Sequence, residues 1–333
     1  MQFNEAQQEA VDFYQGPCLT LAGPGSGKTA VITHRTKNLI EKYGVSPSEI
    51  LVVTFTKAAA MEMKERFLSL TNQTSTTATF GTFHAVFFTV LKYAYHYRAE
   101  NIIRDEQKVV FIRNLLRHFP IDYEDENECI QTLLSEISGV KNSNIPIEHY
   151  YSSNFPEHTF RDVFMNYQKM LQKNRLIDFD DMLVYTYELF SQRKDILALW
   201  QKKFRYILID EFQDINGLQY EIIRMLAAPE NNLFVVGDDD QSIYRFRQAR
   251  PEIMLNFEKD YADAKRIVLN YNYRSDGNIV AAAGRLIAHN TGRFAKDIKA
   301  FHPAKEAVVC KTYRTQREEN LGLIHALKEY TAA

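Results

Sequence analysis

One segment constrains this chain more than any other: Ala22-Gly23-Pro24-Gly25-Ser26-Gly27-Lys28-Thr29. It follows an apolar run, Leu19-Thr20-Leu21-Ala22, and opens a stretch with helical spacing, the setting a phosphate-binding loop requires. Its glycines let successive backbone N–H groups turn inward around a phosphate, and the helix N-terminus adds its dipole. In such a loop Lys28 bridges the outer phosphates of a nucleotide and the Thr29 hydroxyl ligates Mg2+. The strict pattern has glycine where this chain has Ala22, a small change that the loop geometry accommodates.

A strand–loop–helix of this kind belongs in an α/β fold, and the rest of the chain agrees. Leu51-Val52-Val53-Thr54-Phe55 forms a second apolar run in a first block. A second block repeats the pattern with Tyr206-Ile207-Leu208-Ile209-Asp210, Leu233-Phe234-Val235-Val236 and Arg266-Ile267-Val268-Leu269. Near-continuous apolar strands separated by helices indicate a parallel sheet covered on both faces. Residues 91–195 instead show helical spacing, as in Val109-Val110-Phe111-Ile112 followed by Leu115-Leu116, and read as a helical insertion. Residues 1–90 and 196–270 then form one nucleotide-binding domain. After Tyr273 a helix, a strand at Val308-Val309-Cys310 and a helix from about Gln316 to Tyr330 read as the opening of a second α/β domain over 271–333.

Composition narrows the partners. Lys plus Arg number 40 against 42 Asp plus Glu, so a whole-surface electrostatic grip on nucleic acid is not expected. A bound strand calls for a local groove of basic groups and stacking aromatics. The apolar runs are too short to span a bilayer, and the start Met1-Gln2-Phe3-Asn4-Glu5 lacks the pattern of a signal peptide. Cys18, Cys129 and Cys310 are spaced for neither a disulfide framework nor a zinc site, which makes a reducing cytoplasm the simplest location.

A second chemical signal ends the strand at Ile209. Arg205-Tyr206-Ile207-Leu208-Ile209-Asp210-Glu211-Phe212-Gln213-Asp214 is an apolar run closed by two carboxylates. Ligands collect at the carboxyl ends of parallel strands, so both acids are expected to face the phosphate loop. Asp210 suits the Mg2+ position, and Glu211 suits the base that orients or deprotonates an attacking water.

At Asp-Glu-x-Gln-Asp the chain resembles superfamily 1 helicases of the UvrD/Rep type, and the resemblance runs in order over nearly its whole length. Phe3-Asn4-Glu5-Ala6-Gln7-Gln8-Glu9-Ala10 resembles the adenine-reading segment, implying that Gln7 contacts the adenine edge. Val53 to Ala60 and Gly81-Thr82-Phe83-His84 resemble two DNA-contacting segments, implying strand contacts at Phe55, Thr82 and His84. Asp178-Phe179-Asp180-Asp181 looks like the element that rejoins the insertion to the core. Gly237 to Arg247 resembles the segment coupling the two sites: Gln241 to the γ-phosphate or its water, and Tyr244, Phe246 and Arg247 to the strand path. Asn270-Tyr271-Asn272-Tyr273-Arg274-Ser275 resembles the segment that sets Tyr273 on the adenine and Arg274 on the γ-phosphate. Arg35, one helix length past the loop, is a weaker candidate nucleotide contact.

The resemblance implies a P-loop, RecA-like ATP-binding motor with a helical insertion and the start of a second RecA-like domain. It implies ATP and Mg2+ as cofactors and single-stranded DNA and its junctions with duplex as partners. The activity implied is 3′ to 5′ movement with unwinding, in DNA repair or replication. Three departures stand out: Lys57-Ala58 for the usual Asn-Lys, Phe246 for Trp, and Gln248 at a common Gly position. Neither a Thr-x-His-x-x-Lys-Gly segment nor a later Thr-Arg-Ala segment follows Ser275, so the second motor domain is expected to be incomplete here. Alternatives are the motor subunit of a helicase–nuclease, and a nucleotide-gated single-strand-binding module without turnover. An unrelated phosphate-loop enzyme such as a kinase leaves the segments after Gly237 unexplained.

Overall fold

The computed structural model describes residues 2–119, 121, 123–143, 145–245 and 248–332. The apolar runs need cover on both sides and obtain it in one six-stranded sheet. Strands β1 (Cys18–Ala22), β2 (Ile50–Thr54), β3 (Thr79–Thr82), β4 (Tyr206–Ile209), β5 (Leu233–Gly237) and β6 (Lys265–Leu269) pair in the order β3-β2-β4-β5-β1-β6, every pair parallel. Side chains alternate between faces. Leu19, Leu21, Leu51, Val53, Ile207, Ile209 and Val235 enter one core, and Cys18, Val52, Leu208, Phe234 and Val236 the other. The parallel α/β motor sheet expected from the sequence is present, with β3 added at its edge.

Helices α1 (Glu5–Asp12), α2 (Lys28–Glu41) and α3 (Lys57–Thr71) cover the second face through Ala10, Val11, Val31, Ile32, Leu39 and Met63. Helix α4 (Phe83–Tyr95) begins the cover of the first face. The chain then leaves the sheet for α5 (Asp105–Leu116), α6 (Glu126–Ser143) and α7 (Glu157–Lys173), which close a core of their own running from Ile103 to Leu171. It returns through α8 (Phe179–Gln192), α9 (Lys194–Lys203) and α10 (Gly217–Ala227). The insertion was expected to run to 195. Instead, α8 and α9 pack Met182, Leu183, Leu189, Phe190 and Trp200 into the sheet's core, so the helical unit with its own core ends before Asp178.

The return is held by a buried polar joint. Lys141 on α6 places its ammonium 2.7 Å from both Asp178 and Asp181, and the Tyr167 hydroxyl donates to Asp178. Asp178 also caps α8 by accepting from the Asp181 amide. Beside it Asn142 donates to Asp180 and accepts from Asn216, the cap of α10. The Asp178–Asp181 segment therefore rejoins insertion and sheet through Lys141 and Asn142.

Short helices α11 (Pro251–Leu255) and α12 (Phe257–Asp260) lead into β6. Beyond it β7 (Tyr271–Asp276), α13 (Gly277–Ile287) and β8 (Lys299–His302) make a parallel two-stranded unit, and α14 (Gln316–Ala332) follows. The strand expected at Val308–Cys310 does not form: those residues are exposed and irregular, and β8 lies earlier, at Lys299–His302. Among the described residues, no helix is long and apolar enough to cross a membrane.

Candidate nucleotide and strand site

The loop leaves β1 at Ala22 and enters α2 at Lys28. Gly25 and Gly27 have φ of 63° and 84°, conformations that glycine adopts without steric cost. They also admit close neighbours. A Cβ on Gly25 would lie 2.6 Å from the Cβ of Arg274, and one on Gly27 would lie 3.0 Å from Nε2 of Gln7. Pro24 is exposed at the loop's tip, whereas Gly23 and Ser26 are buried, and the Ser26 hydroxyl has no hydrogen-bond partner among the described residues.

Two expected nucleotide contacts are brought to the loop by β7. The Tyr273 amide donates to the Gly25 carbonyl at 3.0 Å, and its hydroxyl accepts from Asn4 at 2.8 Å. The amide of Arg274 is held by the buried Asn272 side chain at 2.8 Å, which leaves the exposed Arg274 side chain beside the loop. Gln7 serves the scaffold: its amide oxygen accepts from the Asn4 amide and its Nε2 donates to the Ser26 carbonyl. Its second Nε2 hydrogen and the second lone pair of its amide oxygen are not used by these two bonds.

Arg35 is a correction. Its guanidinium is 1% exposed, lies 4.4 Å above the Phe234 ring and donates to the Tyr14 carbonyl. Phe234 is the register partner of Cys18, at the end of β1 remote from the loop. Burial pushes its pKa down to about 10. Arg35 is thus a buried cation sandwiched by aromatics, with no path to a nucleotide on the loop.

The acids stand where parallel topology puts them. The Asp210 amide continues the ladder by donating to Val53, so both carboxylates emerge at the carboxyl end of β4. Glu211 sits at φ 53°, a left-handed conformation that costs a non-glycine residue about 1 kcal/mol or more. Its carboxylate accepts from Lys28 at 2.8 Å and from Gln213 Nε2 at 2.9 Å. Asp210 keeps one buried carboxylate oxygen without a hydrogen-bond partner, and burial, aided by the Glu211 charge, pushes its pKa up to about 7. Asp214 is pushed up to about 6 by burial and then by Glu211.

Gln213 and Asp214 were not singled out in the sequence. Gln213 is 2% exposed; besides holding Glu211 it accepts from the Asp238 amide at 3.0 Å, so it ties the end of β4 to the end of β5. The signal was there in the Asp-Glu-x-Gln-Asp spacing, but only the fold shows what the glutamine spans.

Three of the expected strand contacts, Phe55, His84 and Tyr244, line one cavity. This cavity of about 880 Å3 is lined by Thr29, Asp210, Glu211 and Gln241 together with those three. Phe55 packs edge-on to Phe83, and His84 edge-on to Phe179. Burial holds the His84 imidazole below its ordinary pKa. Thr82 caps α4 by accepting from the Ala85 amide. Lys57 is exposed at the start of α3, next to its cap Thr56. Phe246 and Arg247 lie outside the described residues.

Known proteins place this geometry in a family. The model of the UvrD/REP helicase N-terminal domain matches residues 3–262. YjcD of Bacillus subtilis is 39% identical over 335 residues, covering 98% of this chain and 44% of the relative. The ATP-dependent DNA helicase PcrA of the same organism is 38% identical over 301 residues, 89% of this chain and 40% of the relative. That of Leuconostoc citreum is 36% identical over 323 residues, 95% and 43%. The chain thus spans less than half the length of these relatives. On the match over residues 3–262, which hold the phosphate loop and five of the six sheet strands, the chain belongs to the UvrD/REP helicase N-terminal domain family.

Proposed function

We propose that the full protein is an ATP-driven DNA helicase that moves 3′ to 5′ along single-stranded DNA and opens duplex at single/double-strand junctions, in repair or replication. The observation that carries this reading is the shared cavity, lined both by residues suited to ATP and by residues suited to a strand. On binding ATP, Lys28 exchanges Glu211 for the outer phosphates, which frees the Glu211 carboxylate to take a proton from the attacking water. Gln241 reads the γ-phosphate, and Arg274 meets the charge that develops on it. Tyr273 stacks on the adenine. A buried, unpartnered Asp210 oxygen and the Thr29 hydroxyl are a hard-oxygen pair that fits Mg2+. The ion, when bound, supplies charge neutralisation to the phosphates.

The strand side uses Phe55, Thr82, His84 and Tyr244, continued by Phe246 and Arg247. Stacking a base on an aromatic contributes about 1–3 kcal/mol regardless of sequence, which suits a translocating motor. The test is steady-state ATP hydrolysis with and without single-stranded DNA, beside Glu211→Gln. The variant is expected to keep ATP affinity and lose about 10²–10⁴-fold in turnover. Wild-type turnover in Glu211→Gln removes the assignment. ATP binding without turnover in the wild type points to a nucleotide-gated strand-binding role for this chain. Polarity is read on duplexes carrying a 3′ or a 5′ tail.

A further inference from the structure

Asp238, Asp239 and Asp240 follow β5, three acids in a row, immediately before the cavity-lining Gln241. They are covered by an irregular strap, residues 291–298, that belongs to the unit beyond β6. Lys296 of that strap has its side chain 0% exposed while its main chain stays open to solvent. Its ammonium lies 2.5 Å from Asp238, 2.6 Å from Asp239 and 2.9 Å from Asp240. Arg293 clamps Asp240 with two bonds of 2.6 Å, and the Phe294 amide donates to Asp239. Burial works against the charge on Lys296, yet the Asp238–Asp240 carboxylates outweigh it and hold its pKa above the usual lysine value.

What hangs on Asp238 is the point. Its carboxylate is shared: one oxygen takes Lys296 and the other accepts Gln241 Nε2 at 2.6 Å. Its amide donates to Gln213, which in turn holds Glu211. The residue suited to reading the γ-phosphate and the residue suited to activating water are therefore both referred to one buried aspartate. Fixing the Gln241 amide nitrogen on Asp238 also fixes which way its carbonyl oxygen points. The strap touches the loop directly as well: a Cβ on Gly23 would lie 2.5 Å from Cδ1 of Ile298.

We propose that Lys296 is a positioning residue for ATP hydrolysis: by locking Asp238 it orients Gln241, so the γ-phosphate is read only while the 291–298 strap is docked on the motor sheet. This rests on the reading of Gln241 given under Proposed function. It makes the unit beyond β6 part of the nucleotide sensor through a residue that touches no nucleotide. An exposed ion pair does not do this; the lysine must be covered and the carboxylate shared.

The experiment compares the affinities of this chain for Mg2+–AMP-PNP and Mg2+–ADP by calorimetry. The wild type is expected to favour the triphosphate analogue. Lys296→Met should cut that preference about tenfold, the worth of one charge-assisted hydrogen bond, with ADP affinity within about twofold. Lys296→Arg should restore most of it. Gln241→Ala should lose the same preference, and the double variant Lys296→Met/Gln241→Ala should be no worse than Gln241→Ala alone. A purely structural role for Lys296 gives losses that add, and additive losses or an unchanged preference in Lys296→Met overturn the proposal. Lys305→Met, which breaks a surface pair with Asp276 in the same unit, is the control that should change nothing. If Lys296→Met does not fold, the isosteric Asp238→Asn must show the same non-additivity with Gln241→Ala, and additivity there overturns it equally. A wild-type chain that binds neither nucleotide removes the functional reading and this inference with it. A wild type and Gln241→Ala that behave as expected beside an unaffected Lys296→Met remove this inference alone.

Discussion

Two lysines of this chain are covered and ringed by aspartates, and the difference between them shows what each joint is for. Lys141 lies between α6 and α8, with the insertion's core on one side and the sheet's core on the other. The Tyr167 hydroxyl and the Asp178 and Asp181 amides donate to the same two carboxylates, and the joint is flanked by apolar packing on both sides. Lys296 sits on a strap in a unit that buries little: α13 has no buried residue, and beyond Asn272 none of the described residues is fully buried. One joint is built into a core. The other is a polar contact on a strap whose apolar support is only partly buried, with Phe294 against the sheet's core and Ile298 against Gly23.

The largest effect should come from breaking the first joint. Removing one partner of a buried ion pair strands the other, at about 3–5 kcal/mol. Lys141→Met strands Asp178 and Asp181 where no water reaches them, so urea unfolding should show a loss of that size. Lys296→Met should cost far less in global stability, about 1–2 kcal/mol, because the strap can lift and let water reach Asp238–Asp240. Equal losses would mean that the strap is as rigid as the insertion, and the contrast between the joints would fall.

Asp210 sharpens the comparison, since it is a buried carboxylate with no cation bonded to it. Its folded pKa, about 7, lies above the unfolded value, so its contribution favours the fold below pH 4 and is lost as pH rises through 7. Asp214, raised to about 6, acts in the same direction over a slightly lower range. In the absence of Mg2+, Asp210→Asn should stabilise the chain at pH 8 by about 2–4 kcal/mol and hardly at all at pH 4. Thermal unfolding followed through Trp200 at both pH values decides it; a variant less stable at pH 8 would show that Lys28 compensates Asp210 more fully than the geometry suggests.

These joints also mark the limit of what the sequence discloses. The phosphate loop, the acids after Ile209 and most of the parallel sheet were legible because each depends on residues close together: a strand, a glycine turn, a helix start. The strand Thr79–Thr82 was not read as one, since all four of its residues are half-buried and no apolar run marks it. Val308-Val309-Cys310 looked like a strand and is none, whereas Lys299–His302 pairs with β7 despite its charge, because pairing partner rather than composition decides at a small sheet. Arg35 looked like a ligand contact because helical spacing gives direction around an axis but not which end of a strand lies beneath. Lys141 and Lys296 were invisible for a related reason. A lysine's partners 37 and 58 residues away in sequence cannot be guessed from its neighbours.

The smallest effect concerns a second strained backbone. Gln248, at a position where the family commonly has glycine, has φ 65°, close to the left-handed conformation of Glu211. At Glu211 the strain comes with a carboxylate aimed into the cavity, and relieving it with glycine would remove the group. At Gln248 the side chain lines the cavity wall beside Gly139, and only the backbone demand is plain. Glycine relieves about 1–2 kcal/mol of left-handed strain and gives back about 0.5–1 kcal/mol in unfolded-state entropy. Gln248→Gly should therefore raise stability by up to about 1 kcal/mol, while Gln248→Ala, which keeps the Cβ, should gain nothing. A gain in both variants would locate the cost in the glutamine side chain instead. A loss in both would mean that the amide is part of the cavity wall's support, in which case this strain, like that at Glu211, is kept for what the side chain does.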